Sequence, residues 1–97
     1  MRLQIPYAKI VDFCQRWQII EFSFFGSILR DDFRADSDVD VLVEFEPRAR
    51  TGLRFFAMQD ELSQLLGRKV DLNTAGFLSS YFRDRVLAEA KVQYDAT

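Results

Sequence analysis

Ser37-Asp38-Val39-Asp40-Val41-Leu42-Val43 sets two carboxylates at the mouth of an unbroken apolar run. The run is β-branched and reads as a strand from Val39 to Phe45, closed by Pro47. Side chains two residues apart on a strand point to the same face. Asp38 and Asp40 therefore project together, about 7 Å apart for a rise of ~3.4 Å per residue. Like charges that close repel unless a cation lies between them. Asp is also depleted in strands. The pair reads as a metal site rather than a fold device.

Working upstream, Ile19 to Phe25 is β-branched and aromatic and runs into Gly26, a second strand ending in a turn. Ser27 to Arg30 is expected to form a short helical turn, and residues 31–37 a charged loop. Before the strand, Pro6 opens a helix over 6–18, with Ile10, Phe13, Cys14 and Trp17 on one face. Downstream, residues 46–52 form an Arg-rich connection. Apolar positions 55, 58, 62, 65 and 66 predict a helix from Leu53 to Leu66, stopped by Gly67. Lys69 to Asn73 reads as a short third strand. Leu78, Phe82, Val86 and Ala90 predict a last helix from Phe77 to Tyr94. This alternation belongs to the α/β or α+β class, a small sheet covered by helices, and 97 residues make a single domain, 1–97.

Gly26-Ser27 falls where a strand meets a helix start. Glycine lets backbone approach a ligand closely, and free N–H groups at such a start favour an anion. Ser27 adds a hydroxyl and Arg30 a guanidinium, both natural phosphate partners. Asp71 sits between Val70 and Leu72 in the third apolar strand, where an unpaired acid is costly. Either it pairs with Arg68 or Lys69, or its strand lies beside Val39–Phe45 and three carboxylates converge. Such a set suits a two-metal transfer of a phosphoryl-type group. Asp36, Asp38 and Asp40 also match the first ligands of a calcium loop, but Val41 replaces the required Gly and Pro47 the closing Glu.

With no His and one Cys, the chain excludes zinc sites and Ser-His or Cys-His catalysis. Any metal must be held by oxygen, which suits Mg²⁺, Mn²⁺ or Ca²⁺. Cys14 falls in a helical apolar stripe and reads as a buried thiol. A net charge of −2 gives no footprint for duplex nucleic acid, despite a local group of Arg48, Arg50 and Arg54. No stretch suits a membrane span or a signal peptide, so a soluble, cytoplasmic protein is expected. The 10 Phe residues either fill the core or in part face a partner.

Taken together, Gly26-Ser27-x-x-Arg30, six residues, then Ser37-Asp38-x-Asp40-x-x-Val43 resembles the signature of the DNA polymerase β-like nucleotidyltransferases. More closely it resembles their minimal, MNT-type members, and Gly67-Arg68-Lys69-Val70-Asp71-Leu72 resembles the segment that carries the family's third acid. The resemblance spans roughly residues 20–75. It implies a small mixed sheet flanked by helices, Mg²⁺ (two ions) and ATP as ligands, and transfer of AMP with release of pyrophosphate. Asp38, Asp40 and Asp71 would be the catalytic and metal-holding acids. Gly26, Ser27, Arg30 and Ser37 would bind the nucleotide. The family often acts as antitoxin to a HEPN-type ribonuclease toxin, adding AMP to a toxin tyrosine, which implies a hetero-oligomer alongside any self-association. A binding-only antitoxin, or transfer to a small molecule or RNA, are the alternatives. Asp31 departs from the family pattern, which commonly has a small residue there, and adds negative charge near the triphosphate.

Overall fold

The computed structural model describes residues 4–30, 33–34 and 36–96. Helix α1 (Tyr7–Arg16) leads into strand β1 (Ile19–Phe25), a single 3-10 turn (Gly26–Leu29) and strand β2 (Val39–Phe45). Helix α2 (Arg54–Leu66) and strand β3 (Val70–Asn73) follow. A short 3-10 turn (Ala75–Phe77), helix α3 (Arg83–Glu89) and strand β4 (Lys91–Asp95) complete the described order. The strands form one mixed sheet in the order β3-β2-β1-β4. β1 runs antiparallel to both β2 and β4, while β3 runs parallel to β2.

Alternation along β2 divides the sheet into two faces. Val39, Val41 and Val43 pack with Phe22 and Phe24 of β1 against Ile10, Phe13 and Cys14 of α1 and Met58 and Leu62 of α2, forming the main core. Leu42, on the other face, packs with Leu78 and Val86 and with half-buried Phe25 in a smaller cluster. The two long helices are tied together outside the core: Arg16 bonds both Asp12 and Glu61, and the Trp17 indole donates to Glu61 at 3.2 Å. The guanidinium of Arg54 lies 4.9 Å from the Trp17 ring centroid. That arrangement holds the Glu61 carboxyl below its usual value, chiefly through the Arg16 bond. The Cys14 thiol is buried as its stripe position foretold, and burial pushes it up to about 12.

The expected helix over residues 77–94 is corrected. Only Arg83–Glu89 is helical. Leu78 lies in the preceding loop, whose carbonyl Arg83 clamps at 2.9 Å, and Lys91–Asp95 is a fourth strand paired with β1. The apolar spacing that suggested one long helix instead comes from a loop anchor, a short helix and a strand: Leu78 and Val86 both pack on Leu42, whereas residues 91–95 pair with β1. Among the described residues no helix is long and apolar enough to cross a membrane.

Candidate active site

The end of the sheet where β1 finishes and β2 and β3 begin brings the sequence motifs together. Cross-strand pairing places Phe25 opposite Asp40, and Asp40 opposite Asp71. One row thus runs laterally over three strands, with the Gly26-Ser27 turn just beyond the β1 end of it. Parallel pairing puts Asp40 and Asp71 on the same face. Of the two arrangements open for Asp71, the structure has the one beside β2. Among the described residues its neighbours are engaged elsewhere: Lys69 reaches Asp38 at 3.9 Å, and Arg68 donates to the carbonyls of Arg34 and Ser37 while lying 4.6 Å from the Phe33 ring centroid.

Gly26 is shaped by Asp40. It has φ +73, and a Cβ built there would stand 2.3 Å from Asp40 Oδ2. Only glycine leaves room for that carboxylate and accepts the left-handed backbone without strain. The Ser27 backbone N–H donates to Asp40, and the Ser27 hydroxyl donates to the Asp38 carbonyl at 3.3 Å. The turn and the start of β2 are therefore one hydrogen-bonded unit.

Charge is unbalanced at the centre of the row. Burial, then the negative charges of Asp71 and of Asp38, raise the Asp40 carboxyl above its usual range; the Ser27 amide and Arg30 only partly oppose them. The repulsion expected from the sequence is present, with Asp71 the stronger neighbour. Asp38 and Asp71 are exposed, and among the described residues no three acids gather around a single point. Ser37 sits at the base of the preceding turn, where its Oγ accepts the Arg34 N–H at 3.0 Å, a bond that leaves its own O–H proton free. Asp31 lies outside the described residues.

Sequence reasoning missed the supports. The outward amides of β3, Val70 N–H and Leu72 N–H, donate to Ser63 Oγ at 3.1 Å and Gln59 Oε1 at 2.9 Å. These two polar residues stand one turn apart on α2, a spacing that marks a shared helix side but not what that side meets. Arg85 of α3 lines a groove of about 250 Å³ with Gly26 and Arg30, its guanidinium paired there with Glu89 at 3.3 Å. Nothing in its sequence neighbourhood singles it out.

The profile of the nucleotidyltransferase domain family matches residues 8–92. A protein adenylyltransferase, MntA, from Thermococcus cleftensis is 39% identical over 75 residues, 77% of this chain and 75% of its own. A solved structure provisionally assigned as a minimal nucleotidyltransferase superposes with a TM-score of 0.73 and 35% identity, covering 88% of this chain and 86% of its own. The same fold, at 20% identity and a TM-score of 0.66, occurs in a complex of the tri-AMPylated Shewanella oneidensis HEPN toxin with its MNT antitoxin, covering 92% of this chain and 69% of the matched one. With paired acids on β2, a third acid on β3 and a glycine turn closing on them, the chain belongs to the nucleotidyltransferase domain family and is a nucleotidyltransferase of the minimal type.

Proposed function

We propose that this protein is an adenylyltransferase antitoxin of the cytoplasm, a single catalytic domain over residues 1–97 that transfers AMP from ATP to a tyrosine hydroxyl of a HEPN-type ribonuclease. The observation that carries the reading is the lateral row in which the Gly26-Ser27 turn, Asp40 and Asp71 occupy the ends of three neighbouring strands. The similarity to an adenylyltransferase at 39% identity supports the transferred group, and the toxin complex of the same fold supports the partner.

The donor set fits a hard divalent cation: every candidate ligand is a carboxylate oxygen, and the charge crowded on Asp40 lacks a counterion of equal strength. Asp38, Asp40 and Asp71 would hold Mg²⁺, two ions, whose chemistry there is to neutralise the transferring phosphate. The Gly26 and Ser27 turn, with Arg30 and Ser37, holds the β- and γ-phosphates. Asp71 takes the proton of the acceptor hydroxyl. The new bond joins the acceptor oxygen to the α-phosphorus, the α–β bridging bond breaks, and pyrophosphate leaves with its electron pair.

The test is incubation with labelled ATP, Mg²⁺ and the HEPN-type ribonuclease encoded beside it. Label is expected on the ribonuclease, falling by roughly 100-fold or more in Asp38→Asn or Asp40→Asn, the loss typical of removing a charge-stabilising group. No label, or equal label in the variants, overturns the reading. The exposed aromatics Phe56, Phe77 and Tyr81 also favour a second reading, in which the chain blocks its partner by docking alone. Toxin neutralisation that survives Asp38→Asn and Asp40→Asn would establish that version.

A further inference from the structure

Asp38 immediately precedes β2, and about half of its side chain faces solvent. Among the described residues its one ion pair is with Lys69, at 3.9 Å and itself 82% exposed, a contact of the kind worth little. The place of its carboxylate is therefore set by its backbone. That backbone is held on both sides and at its own carbonyl. Val39 N–H, just after it, donates to the Lys69 carbonyl at 2.8 Å. The Ser27 hydroxyl donates to the Asp38 carbonyl at 3.3 Å. The Ser37 carbonyl, on the peptide that leads into Asp38, accepts from the Arg68 guanidinium at 2.8 Å. The first is a backbone bond that outlasts any change of side chain, and the second is long. The third is charge-assisted and the stronger of the two made by side chains.

The structure assigns Arg68 the part of a positioning residue for Asp38. It fixes the peptide from which a metal-holding carboxylate projects and couples the start of β2 to the start of β3. The inference rests on the transfer reading above and adds a residue which that reading leaves out.

The contacts explain why the residue is an arginine. The nitrogen that bonds Ser37 also donates to the Arg34 carbonyl, so one guanidinium grips both ends of the turn that delivers Asp38. Within that turn Ser37 N–H donates to the Arg34 carbonyl at 3.1 Å, and Arg34 N–H to Ser37 Oγ at 3.0 Å. The guanidinium lies 4.6 Å from the ring centroid of Phe33, which is buried in the main core. The core holds the ring, the ring holds the guanidinium, and the guanidinium holds the turn. A lysine could reach a carbonyl but has no plane to lay on the ring. Arg68 also stands three residues before Asp71. The segment that carries one acid thus fixes the backbone of another, and the distance between them is what a shared cation reads.

Charge and positioning predict opposite signs, and this makes the role testable. Removing a cation beside a cation site should tighten metal binding by charge alone. Loosening the Asp38 peptide should weaken it. The experiment titrates Mn²⁺ into the full chain with AMP-PNP and reads free Mn²⁺ by electron paramagnetic resonance. Arg68→Ala should bind about tenfold more weakly, the lower end of the loss typical when the group that orients a metal ligand is removed. Arg68→Lys keeps the charge without the plane and should fall between Arg68→Ala and the native chain; it carries the same test if Arg68→Ala does not fold. Amide exchange should accelerate at Val39 in these variants while Leu72, capped from α2, keeps its native rate. Native or tighter affinity in the Arg68 variants, or equal acceleration at Val39 and Leu72, overturns the positioning role. Asp38→Asn separates this from the reading beneath it. Affinity lost in Asp38→Asn but kept in Arg68→Ala overturns Arg68 alone, whereas native affinity in Asp38→Asn overturns the metal reading and the role of Arg68 with it.

Discussion

A missing methyl group at position 26 is what lets the acids and the turn share one space. Gly26→Ala would drive a Cβ into the Asp40 carboxylate, 2.3 Å away, and force a positive φ on an L side chain. The variant should lose nucleotide transfer and about 1–3 kcal/mol of stability, read by urea unfolding. Asp40 itself separates stability from activity. Its raised carboxyl binds a proton more tightly in the folded chain than in the unfolded one. Stability therefore falls as pH rises from the ordinary Asp value of 3.8 through the folded value, and the full cost persists above it. Asp40→Asn removes that cost. Without metal the variant should melt a few degrees higher than the native chain at neutral pH and lose that advantage in acid, while its transfer in the presence of Mg²⁺ falls about 100-fold or more. Melting curves at both pH values, set beside the transfer assay, check this.

Strand β3 is short and borders the sheet, yet it carries Asp71, so its position must be fixed from outside. Gln59 and Ser63 do this by accepting the two outward amides that strand pairing leaves unused. Gln59→Ala or Ser63→Ala should cost about 1–2 kcal/mol each, and amide exchange should accelerate at Leu72 in the first variant and at Val70 in the second. How far the elements could be read in advance follows the same logic. β1, β2 and α2 carry complete local signals, in alternation, helical period and the Gly67 stop, and their expected bounds agree with the fold to within a residue or so. The acid-bearing strand ends were legible with them, because Asp is so unusual in that setting. β4 was not legible. Val92-Gln93-Tyr94 is too brief to show a period, and its conformation is set by pairing with β1, about 70 residues earlier. The caps from α2 and the groove that Arg85 shares with Gly26 are likewise tertiary facts, invisible in spacing.

At the level of the whole molecule, the sheet is covered unequally. The α1 and α2 side holds nearly all the buried aromatics, while the opposite side has only the Leu42, Leu78 and Val86 cluster. Five of the 10 Phe residues are buried, and Phe56, Phe77 and Phe82 are exposed around the site end, so the aromatic surplus serves both core and surface. Because the negative charges of Asp71 and Asp38 oppose ionisation of Asp40, ligands that neutralise them should stabilise the entire fold. Mg²⁺ with AMP-PNP at about 100 times its dissociation constant should add about 2.7 kcal/mol, seen as a rise in melting temperature that Asp38→Asn abolishes. The caps on β3 have one more effect, on how copies of this molecule can associate. A bare sheet border invites another strand, and a sheet bare on both sides can stack copies without end. Here the β3 border is already occupied by side chains of α2, so that side of the sheet is closed to a further strand and endless stacking of copies is blocked at the border that carries Asp71.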